Sequence, residues 1–235
     1  MPSGSALFEA PTVLTVPKQG HAPDENEDAT AYHQQAAAIA DGATESAFAG
    51  AWAAHLATAI ARAAPLTAAA FAHAANDARD AWHAEVAPQR TDLPWYAAQK
   101  AAQGAFATAL GIVVRPGFTW TACSVGDCAL FHLRNEALLQ AWPHDTPDAF
   151  THRPALLCSR RDAPAPAIEH TRGSWQPGDV MVLATDAAAA WLLATTPTRA
   201  LGWTPPSFAA AVQKARAAGA LRNDDTTVLR LHCSA

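Results

Sequence analysis

An acid and a glycine, Asp41-Gly42, directly follow the small apolar residues Ala36–Ala40. A strand of such residues would be buried, and an acid at its end would be held in one place. The glycine lets the backbone turn sharply and leaves its own carbonyl open. Oxygen ligands fixed in this way suit a hard divalent cation. An Asp-Gly after a strand is nevertheless more often a plain turn, so the rest of the chain has to decide between the two interpretations.

Further acids stand where apolar, strand-like stretches begin or end. Acids at strand ends can converge at one edge of a sheet. The alternative interpretation, that all of them are ordinary turn residues, does not explain why most stand next to apolar strands. The further acids are Asp127 and Asp186, which close such stretches, and the pairs Glu27-Asp28 and Asp224-Asp225, which open them.

The donor atoms of such a site would all be oxygens, because no His or Cys accompanies the acids at suitable spacing. An all-oxygen site selects Mg²⁺ or Mn²⁺ over Zn²⁺ or Cu²⁺. Two such ions ~3.5–4 Å apart lower the pKa of a shared water and hold a phosphoryl group for in-line attack. This chemistry needs no covalent nucleophile. An aspartyl-nucleophile phosphatase is disfavoured, because no second Asp lies two residues after Asp41.

The composition predicts a globular protein with a sizeable core. Half of the 235 residues are hydrophobic and 16% are charged, and we interpret residues 1–235 as a single domain. The net charge of -5 at pH 7 argues against a general binder of nucleic acid or of anionic membranes. No apolar run reaches the ~20 residues that span a bilayer.

The N-terminus and the cysteines favour a cytoplasmic protein. The segment from Met1 to Glu9 lacks the basic region followed by an apolar core that a secretory signal needs. The four cysteines are scattered without a C-x-x-C pair, which argues against a zinc site or a disulfide framework. We therefore expect a reducing cytoplasm as the compartment.

Hydrophobic periodicity predicts a helical region after Asp41, with strands before and after it. Helices are predicted over 44–64, 67–85 and 94–103, with Thr44 as the N-cap of the first. The four strands that follow are predicted to form an antiparallel meander. The segment 143–166 is rich in Pro, His, Asp and Arg and is predicted to be a functional flap. The predicted strands are 12–16, 36–40, 104–114, 118–125, 128–134, 137–141, 180–185 and a last one after Asn223, and two further helices cover 187–194 and 206–218.

The order of these motifs resembles that of the metal-dependent (PPM-type) serine/threonine protein phosphatases, the protein phosphatase 2C family. Each motif alone is weak, but the ordered set is strong and extends from about residue 12 to residue 232. The motifs are Asn26-Glu27-Asp28, Ala40-Asp41-Gly42, Gly104–Ala109, Ser124-Val-Gly-Asp127, Leu183-Ala-Thr-Asp186 and Asp224-Asp-Thr-Thr-Val228.

The resemblance implies an α+β fold, a four-layer αββα sandwich of two antiparallel sheets flanked by helices. It also implies a binuclear Mn²⁺ or Mg²⁺ centre between the sheets, a phosphorylated protein substrate and an opposing serine/threonine kinase. The implied ligands are Asp41, which bridges both metals, the Gly42 carbonyl, Asp186 and Asp224 at the first metal, Glu27 and Asp28 at the second, and Asp127 with Asp186 at the third-metal site of many bacterial members.

Several positions depart from the family pattern. Pro23 stands where the family usually carries an arginine that grips the substrate phosphate bidentately. Lys18 and His21 are the candidates for that role, although lysine lacks the fork of the guanidinium. No histidine follows Asp41-Gly42 as a general acid. Other departures are Ala187 for a glycine, Asp225 for an asparagine and Cys128-Ala129 for Ser-Arg.

Three functions remain open at this point. The first is an active Mn²⁺- or Mg²⁺-dependent phosphatase for phosphoserine and phosphothreonine in proteins, with Asp41 and Asp186 as its catalytic acids. The second is a catalytically weak or inactive module that binds a phosphoprotein or a kinase, which the missing arginine favours and the complete acid set opposes. The third is hydrolysis of a small phosphorylated metabolite at the same metal centre.

Overall fold

Two antiparallel sheets and their flanking helices make up the chain in this computed structural model, which describes residues 7–86, 95–150 and 153–234. Within those residues the five α-helices are α1 Ala49–Ala63, α2 Ala68–Val86, α3 Trp95–Ala102, α4 Asp186–Ala194 and α5 Pro205–Ala217. The strands are β1 Thr12–Val16, β2 Asp28–His33, β3 Ala36–Gly42, β4 Phe106–Arg115, β5 Thr119–Val125, β6 Ala129–Arg134, β7 Ala137–Trp142, β8 Leu157–Cys158, β9 Glu169–Ser174, β10 Val180–Ala184 and β11 Thr226–His232.

The first sheet has the strand order β1-β11-β10-β6-β7, and the second has the order β2-β3-β4-β5-β9, with the short β8 beside β4. The predicted meander is therefore wrong as a single sheet. Strands β4 and β5 pair in the second sheet, whereas β6 and β7 pair in the first. The chain crosses between the sheets at Gly126-Asp127, which brings an acid to the point where the two sheets meet.

Apolar side chains fill three layers. Between the sheets lie residues such as Ile39, Leu110 and Leu229. Helices α1 and α2 pack on the outer face of the second sheet through Trp52 and other apolar side chains. Helices α4 and α5 cover the first sheet through a cluster that includes Trp191. The order helix, sheet, sheet, helix confirms the predicted αββα sandwich. In the described residues, no helix combines the length and the apolar character needed to cross a membrane.

Strand β3 shows how the core places an acid. Successive side chains of a strand point to opposite faces of the sheet. Ala38 and Ala40 belong to the layer under the helices, while Ala37 and Ile39 belong to the layer between the sheets. Asp41 is the next residue in the second series, so the alternation directs its carboxylate into the space between the sheets.

The start of the first helix differs from the prediction. Helix α1 begins at Ala49, and its N-cap residue is Phe48 rather than Thr44. The preceding segment is instead tied to β4, because Ala43 N donates to Phe106 O at 2.9 Å and Phe106 N donates to Ser46 Oγ at 3.1 Å. These bonds hold the chain after Gly42 beside the sheet and delay the helix by about one turn.

Three strands, β2, β8 and β9, were missing from the prediction, and two other predictions fall outside the described residues. Strands β2 and β9 are edge strands of the second sheet, and their side chains are half-buried or exposed. Edge strands of this kind lack a continuous apolar signal. The predicted break at 89–92 and the predicted helix start at Pro94 lie outside the described residues.

Candidate metal centre

The predicted acids come together at one end of the molecule. Asp28 at the start of β2 pairs directly with Asp41 at the end of β3. In the first sheet, Asp186 follows the end of β10 and Asp224 precedes the start of the antiparallel β11. Because neighbouring strands run in opposite directions, strand ends and strand starts meet at the same edge. The convergence expected from the sequence is therefore present in the structure.

A cavity of about 160 Å³ lies at this edge. Glu27 and Asp28 adjoin the cavity through Gly42 and Asp41 but do not line it. The lining residues are Asp41, Gly42, Ala43, Thr44, Thr108, Asp127, Pro154, Leu156, Asp186 and Asp224.

Gly42 is required for a reason other than the expected sharp turn. It is the last residue of β3, and its backbone is not in the left-handed region. A Cβ at this position would lie 2.8 Å from the carbonyl carbon of Ala49 and 2.9 Å from Glu27 O. The absence of a side chain thus allows α1 and the Glu27 backbone to approach the site. Gly42 N donates to Glu27 O at 3.1 Å, which fixes Glu27 beside Asp41.

Gly126 is the glycine that does provide a turn. Its φ of +90° lies in the left-handed region, which favours glycine. A Cβ there would also lie 2.4 Å from Thr108 Cγ2. The turn places Asp127 against the cavity with only 2% of its surface exposed.

Hydrogen bonds from both sheets hold Asp28 in place. Thr185 Oγ1 donates to Asp28 Oδ2 at 3.0 Å and accepts from Thr227 N at 3.0 Å. The backbone N of Asp28 donates to Asn26 Oδ1 at 2.8 Å. Asp28 belongs to the second sheet, whereas Thr227 lies in β11 of the first sheet and Thr185 directly follows β10, so this carboxylate is fixed at the junction of the sheets.

Burial makes ionisation of these acids unfavourable. It raises the pKa of Asp28 to about 7, and repulsion from Asp225 adds to the effect. Burial, followed by the negative charges of Asp28, Asp224 and Asp127, raises the pKa of Asp41 well above its usual range. Burial also raises the pKa of Asp127 and of Glu27. Carboxylates that repel one another in a partly dry site need a nearby positive charge to stay ionised.

The donor atoms of the site are carboxylate oxygens, which are the type of ligand that a hard cation prefers. Three buried oxygens, Glu27 Oε2, Asp28 Oδ1 and Asp127 Oδ2, have no hydrogen-bond partner. Buried polar atoms of this kind are rare unless something else satisfies them, and a divalent ion would do so. In the part of the chain that the structure describes, however, no three His, Cys, Asp or Glu side chains already surround one point closely enough to hold an ion.

A cationic side chain that the sequence analysis missed, Arg222, lies among the acids. Its Nη2 is in direct contact with Asp186 Oδ2, and its Nε lies 3.7 Å from Asp224 Oδ2. The sequence signal was a base two residues before the first acid of the last motif, in a turn. A second missed residue, Arg216 on α5, donates to Asp224 O at 2.5 Å and to Pro17 O at 2.8 Å. Nothing in the sequence distinguishes Arg216 from an exposed helical arginine.

The two residues predicted to bind phosphate both line a cavity of about 570 Å³ beside the acidic one, but only Lys18 also makes a contact towards the acids. Lys18 Nζ donates to Thr44 Oγ1 at 3.4 Å, and Thr44 lines the acidic cavity. His21 is exposed, and the cavity that it shares with Lys18 contains none of the predicted metal ligands. The structure therefore brings Lys18 towards the acids and leaves His21 apart from them.

Asp225 braces the loop that carries Lys18. The carboxylate is buried and accepts hydrogen bonds from Lys18 N and Glu27 N, both at 2.8 Å. An acid at this position thus fixes two segments of the N-terminal loop against the last motif.

The predicted flap borders the cavity through Pro154 and Leu156. Its strand β8 pairs with β4, and Leu157 O accepts a hydrogen bond from Trp52 Nε1 at 2.9 Å. Helix α1 therefore positions the end of the flap that reaches the acids. Residues 151 and 152 of the flap lie outside the described residues.

The protein phosphatase 2C family model matches residues 21–222 of the chain. This range contains every predicted ligand except Asp224. A search of curated proteins gave no match.

Solved structures of phosphatases show the same fold. The serine/threonine phosphatase PstP/Ppp of Mycobacterium tuberculosis is 17% identical and has a TM-score of 0.68, over 97% of this chain and 100% of that chain. The catalytic domain of PstP in complex with two manganese ions is 19% identical, with a TM-score of 0.67 over 97% and 99% of the two chains. The phosphatase MsPP of Mycobacterium smegmatis, in complex with cacodylate, is 18% identical. Its TM-score is 0.66, over 97% of this chain and 100% of that chain.

Proposed function

The chain belongs to the protein phosphatase 2C family, and on this premise we propose that it hydrolyses phosphoserine and phosphothreonine in proteins at a centre of two Mn²⁺ or Mg²⁺ ions. Its homologues are metal-dependent serine/threonine phosphatases, which are hydrolytic enzymes. The observation that carries the proposal is the convergence of acids from both sheets on one cavity, with three buried carboxylate oxygens that lack a partner.

The ligands would be divided between the two sheets. Asp41 lies opposite Asp28 in the second sheet, so the two carboxylates can serve neighbouring ions, with Asp41 as the bridge. Bound ions would lower the pKa of a shared water and stabilise the negative charge of the phosphoryl group. The remaining ligands would be the Gly42 carbonyl, Asp186 and Asp224 at the first ion, Glu27 at the second, and Asp127 with Asp186 at a third.

The residues around the acids would prepare the substrate and exclude water. The ammonium group of Lys18, held near Thr44, would attract the phosphate as it enters. Pro154 and Leu156 present apolar atoms at the cavity and limit the access of bulk water. Asp41 would be kept ionised by the bound cations, because in their absence burial favours its protonated form.

The substrate would be a phosphorylated protein, and the physiological counterpart a serine/threonine kinase. PstP and MsPP, which share this fold, are serine/threonine phosphatases, which supports this substrate class. A cytoplasmic setting is supported by the four cysteines, which are buried free thiols.

A catalytically weak module remains the second candidate, and one observation favours it. The Arg222 guanidinium already contacts Asp186, an acid that the proposed first metal would use. A chain that had lost its metals could keep this fold through such a contact.

The test is hydrolysis of p-nitrophenyl phosphate by the purified protein with Mn²⁺, Mg²⁺ or EDTA, followed by phosphoserine and phosphothreonine peptides. We expect activity that depends on the added ion and that Asp41→Asn lowers by at least ~100-fold, because loss of a bridging ligand disrupts both ions. The matched control is Asp77→Asn, which removes an exposed carboxylate from α2. Metal binding without turnover would favour the weak module, and the absence of metal binding would refute the proposed centre.

A further inference from the structure

Arg222 is in contact with the acids that the proposed first metal would use. We propose that its guanidinium is an internal cation that neutralises the acidic centre in the metal-free protein and competes with the first metal ion for Asp186 and Asp224. This inference rests on the proposed function, because it assumes that these two acids bind a metal.

The contacts of Arg222 are with acids. Its Nη2 touches Asp186 Oδ2, and its Nε lies 3.7 Å from Asp224 Oδ2. The effect of its charge reaches further, because it opposes the rise in pKa that burial causes at Asp41 and at Asp127. One guanidinium thus interacts with four carboxylates of the proposed centre.

Arg216 provides a useful comparison, because it has a structural role. It donates hydrogen bonds to Pro17 O, Asp224 O and Thr226 Oγ1 and so ties α5 to the loops beside the site. Arg222 Nε and Nη2, in contrast, are buried and have no hydrogen bond of good geometry. The position of the Arg222 side chain therefore depends on the negative charge around it rather than on hydrogen bonds to specific partners.

A guanidinium and a divalent cation cannot occupy this position together. Both need the same lone pairs of Asp186, and their positive charges repel each other. Loss of a proton does not resolve the conflict, because a guanidinium group is not deprotonated in proteins. The side chain has to move, and its 31% exposed surface gives it a direct route to solvent. Metal binding would therefore include the free energy of breaking the contact with Asp186.

The experiment measures Mn²⁺ binding by isothermal titration calorimetry, with protein first stripped of metal in EDTA and then dialysed. The variants are Arg222→Gln, which removes the charge, and Arg222→Lys, which keeps it. The matched control is Arg161→Gln, which removes an exposed arginine paired with Asp80 on α2. Circular dichroism and the melting temperature in EDTA establish that each variant is folded.

We expect Arg222→Gln to bind Mn²⁺ at least ~10-fold more tightly than the wild type, equivalent to ~1.4 kcal/mol, while Arg222→Lys and Arg161→Gln stay within ~3-fold of it. In EDTA the Arg222→Gln variant should melt at a lower temperature than the wild type, because its acids have lost their cation. Equal or weaker Mn²⁺ binding by a folded Arg222→Gln variant would overturn the inference and leave the metal centre standing. No Mn²⁺ binding by either the wild type or Arg222→Gln would instead overturn the metal centre itself.

Discussion

Replacement of Asp28 by asparagine should make the metal-free protein more stable and weaken its binding of metal. The Asp28 carboxylate lies directly opposite Asp41 and near Asp225 and Asp224, and burial raises its pKa to about 7. Asparagine has the same shape and can still accept the hydrogen bond from Thr185 through its amide oxygen. The amide nitrogen would take the place of Oδ1, which now lacks a partner, and would face carboxylates without repelling them.

The sign and size of the change in stability follow from the pKa of Asp28. The pKa is 3.8 when the side chain is unperturbed and about 7 in the folded protein, so the folded state prefers the protonated acid. The stability of the metal-free wild type should therefore be greatest at low pH within this range and decline as the pH rises from about 4 to about 7. The difference between the two pKa values means that ionisation of Asp28 destabilises the folded protein by at most ~4 kcal/mol at pH 8. Because nearby groups relax around the charge, we expect Asp28→Asn to increase the free energy of unfolding by only ~1–2 kcal/mol at pH 8.

The assay is urea unfolding in EDTA at pH 8 and at pH 5, followed by calorimetric titration with Mn²⁺ at pH 8. The variant should be more stable than the wild type at pH 8, and the difference should shrink at pH 5, where the wild-type acid is largely protonated. Its affinity for Mn²⁺ should fall by at least ~10-fold, because a charged ligand is lost. The exposed Asp77→Asn serves as the control. A variant that is less stable than the wild type in EDTA at pH 8 would refute the electrostatic reasoning.

Three further changes test other parts of the structure. Asp179→Asn should destabilise the protein by ~2–4 kcal/mol in urea at pH 7, because the buried carboxylate binds Arg134 and His132 at 2.7 Å. Although burial alone would raise its pKa, these hydrogen bonds lower it to about 2, so this contribution should decrease as the pH falls below about 4. Gly42→Ala should cost ~1–3 kcal/mol by overpacking and reduce phosphatase activity. Lys18→Gln should raise KM for p-nitrophenyl phosphate by ~3–10-fold with a smaller change in kcat, through loss of an attractive charge.

Each of these changes has a matched control. Asp162→Asn disrupts an exposed ion pair and should cost much less stability than Asp179→Asn, so an equal loss would contradict the importance of burial for Asp179. Gly202→Ala adds a methyl group where no atom lies within 4 Å and should be tolerated. Lys100→Gln removes an exposed charge from α3 and should leave KM unchanged. A kcat effect without a KM effect at Lys18 would argue against a role in substrate binding.

Periodicity predicted most of the regular elements because their burial is regular. Strand β10 is buried at every position and α2 buries one face, and both lie within a residue or two of their predicted bounds. The meander was wrong because pairing between sheets is not visible in a local pattern. Strands β5 and β6 follow each other after a Gly-Asp turn, as a hairpin would, but the turn at Gly126 leads from one sheet to the other. Only the tertiary packing of the two sheets determines that choice.

The acids were visible in the sequence because each stands at the junction of an apolar strand and a polar turn. Their ordered spacing also indicated the family, which the family model confirms. The role of Gly42 was misinterpreted, since its requirement arises from α1 and Glu27, which are brought to it by the fold. Arg222 was missed for the same reason: its neighbour Asp224 is close in sequence, but Asp186 is brought to it by pairing of β10 with β11.

The stability of this fold and its proposed chemistry make opposite demands on the acidic end. Apolar layers hold the strand ends rigid and partly dry, which raises the pKa of Asp41 and of Asp28 and disfavours the charged forms that a metal needs. When metal is scarce, a positive side chain in the same place would relieve the repulsion among the carboxylates. The guanidinium of Arg222 is positioned to provide that charge. The two variants at the centre should therefore respond in opposite ways. Loss of the acid in Asp28→Asn should stabilise the metal-free protein and weaken metal binding, whereas loss of the base in Arg222→Gln should destabilise it and strengthen metal binding. Opposite shifts in both properties would indicate that one electrostatic balance controls them.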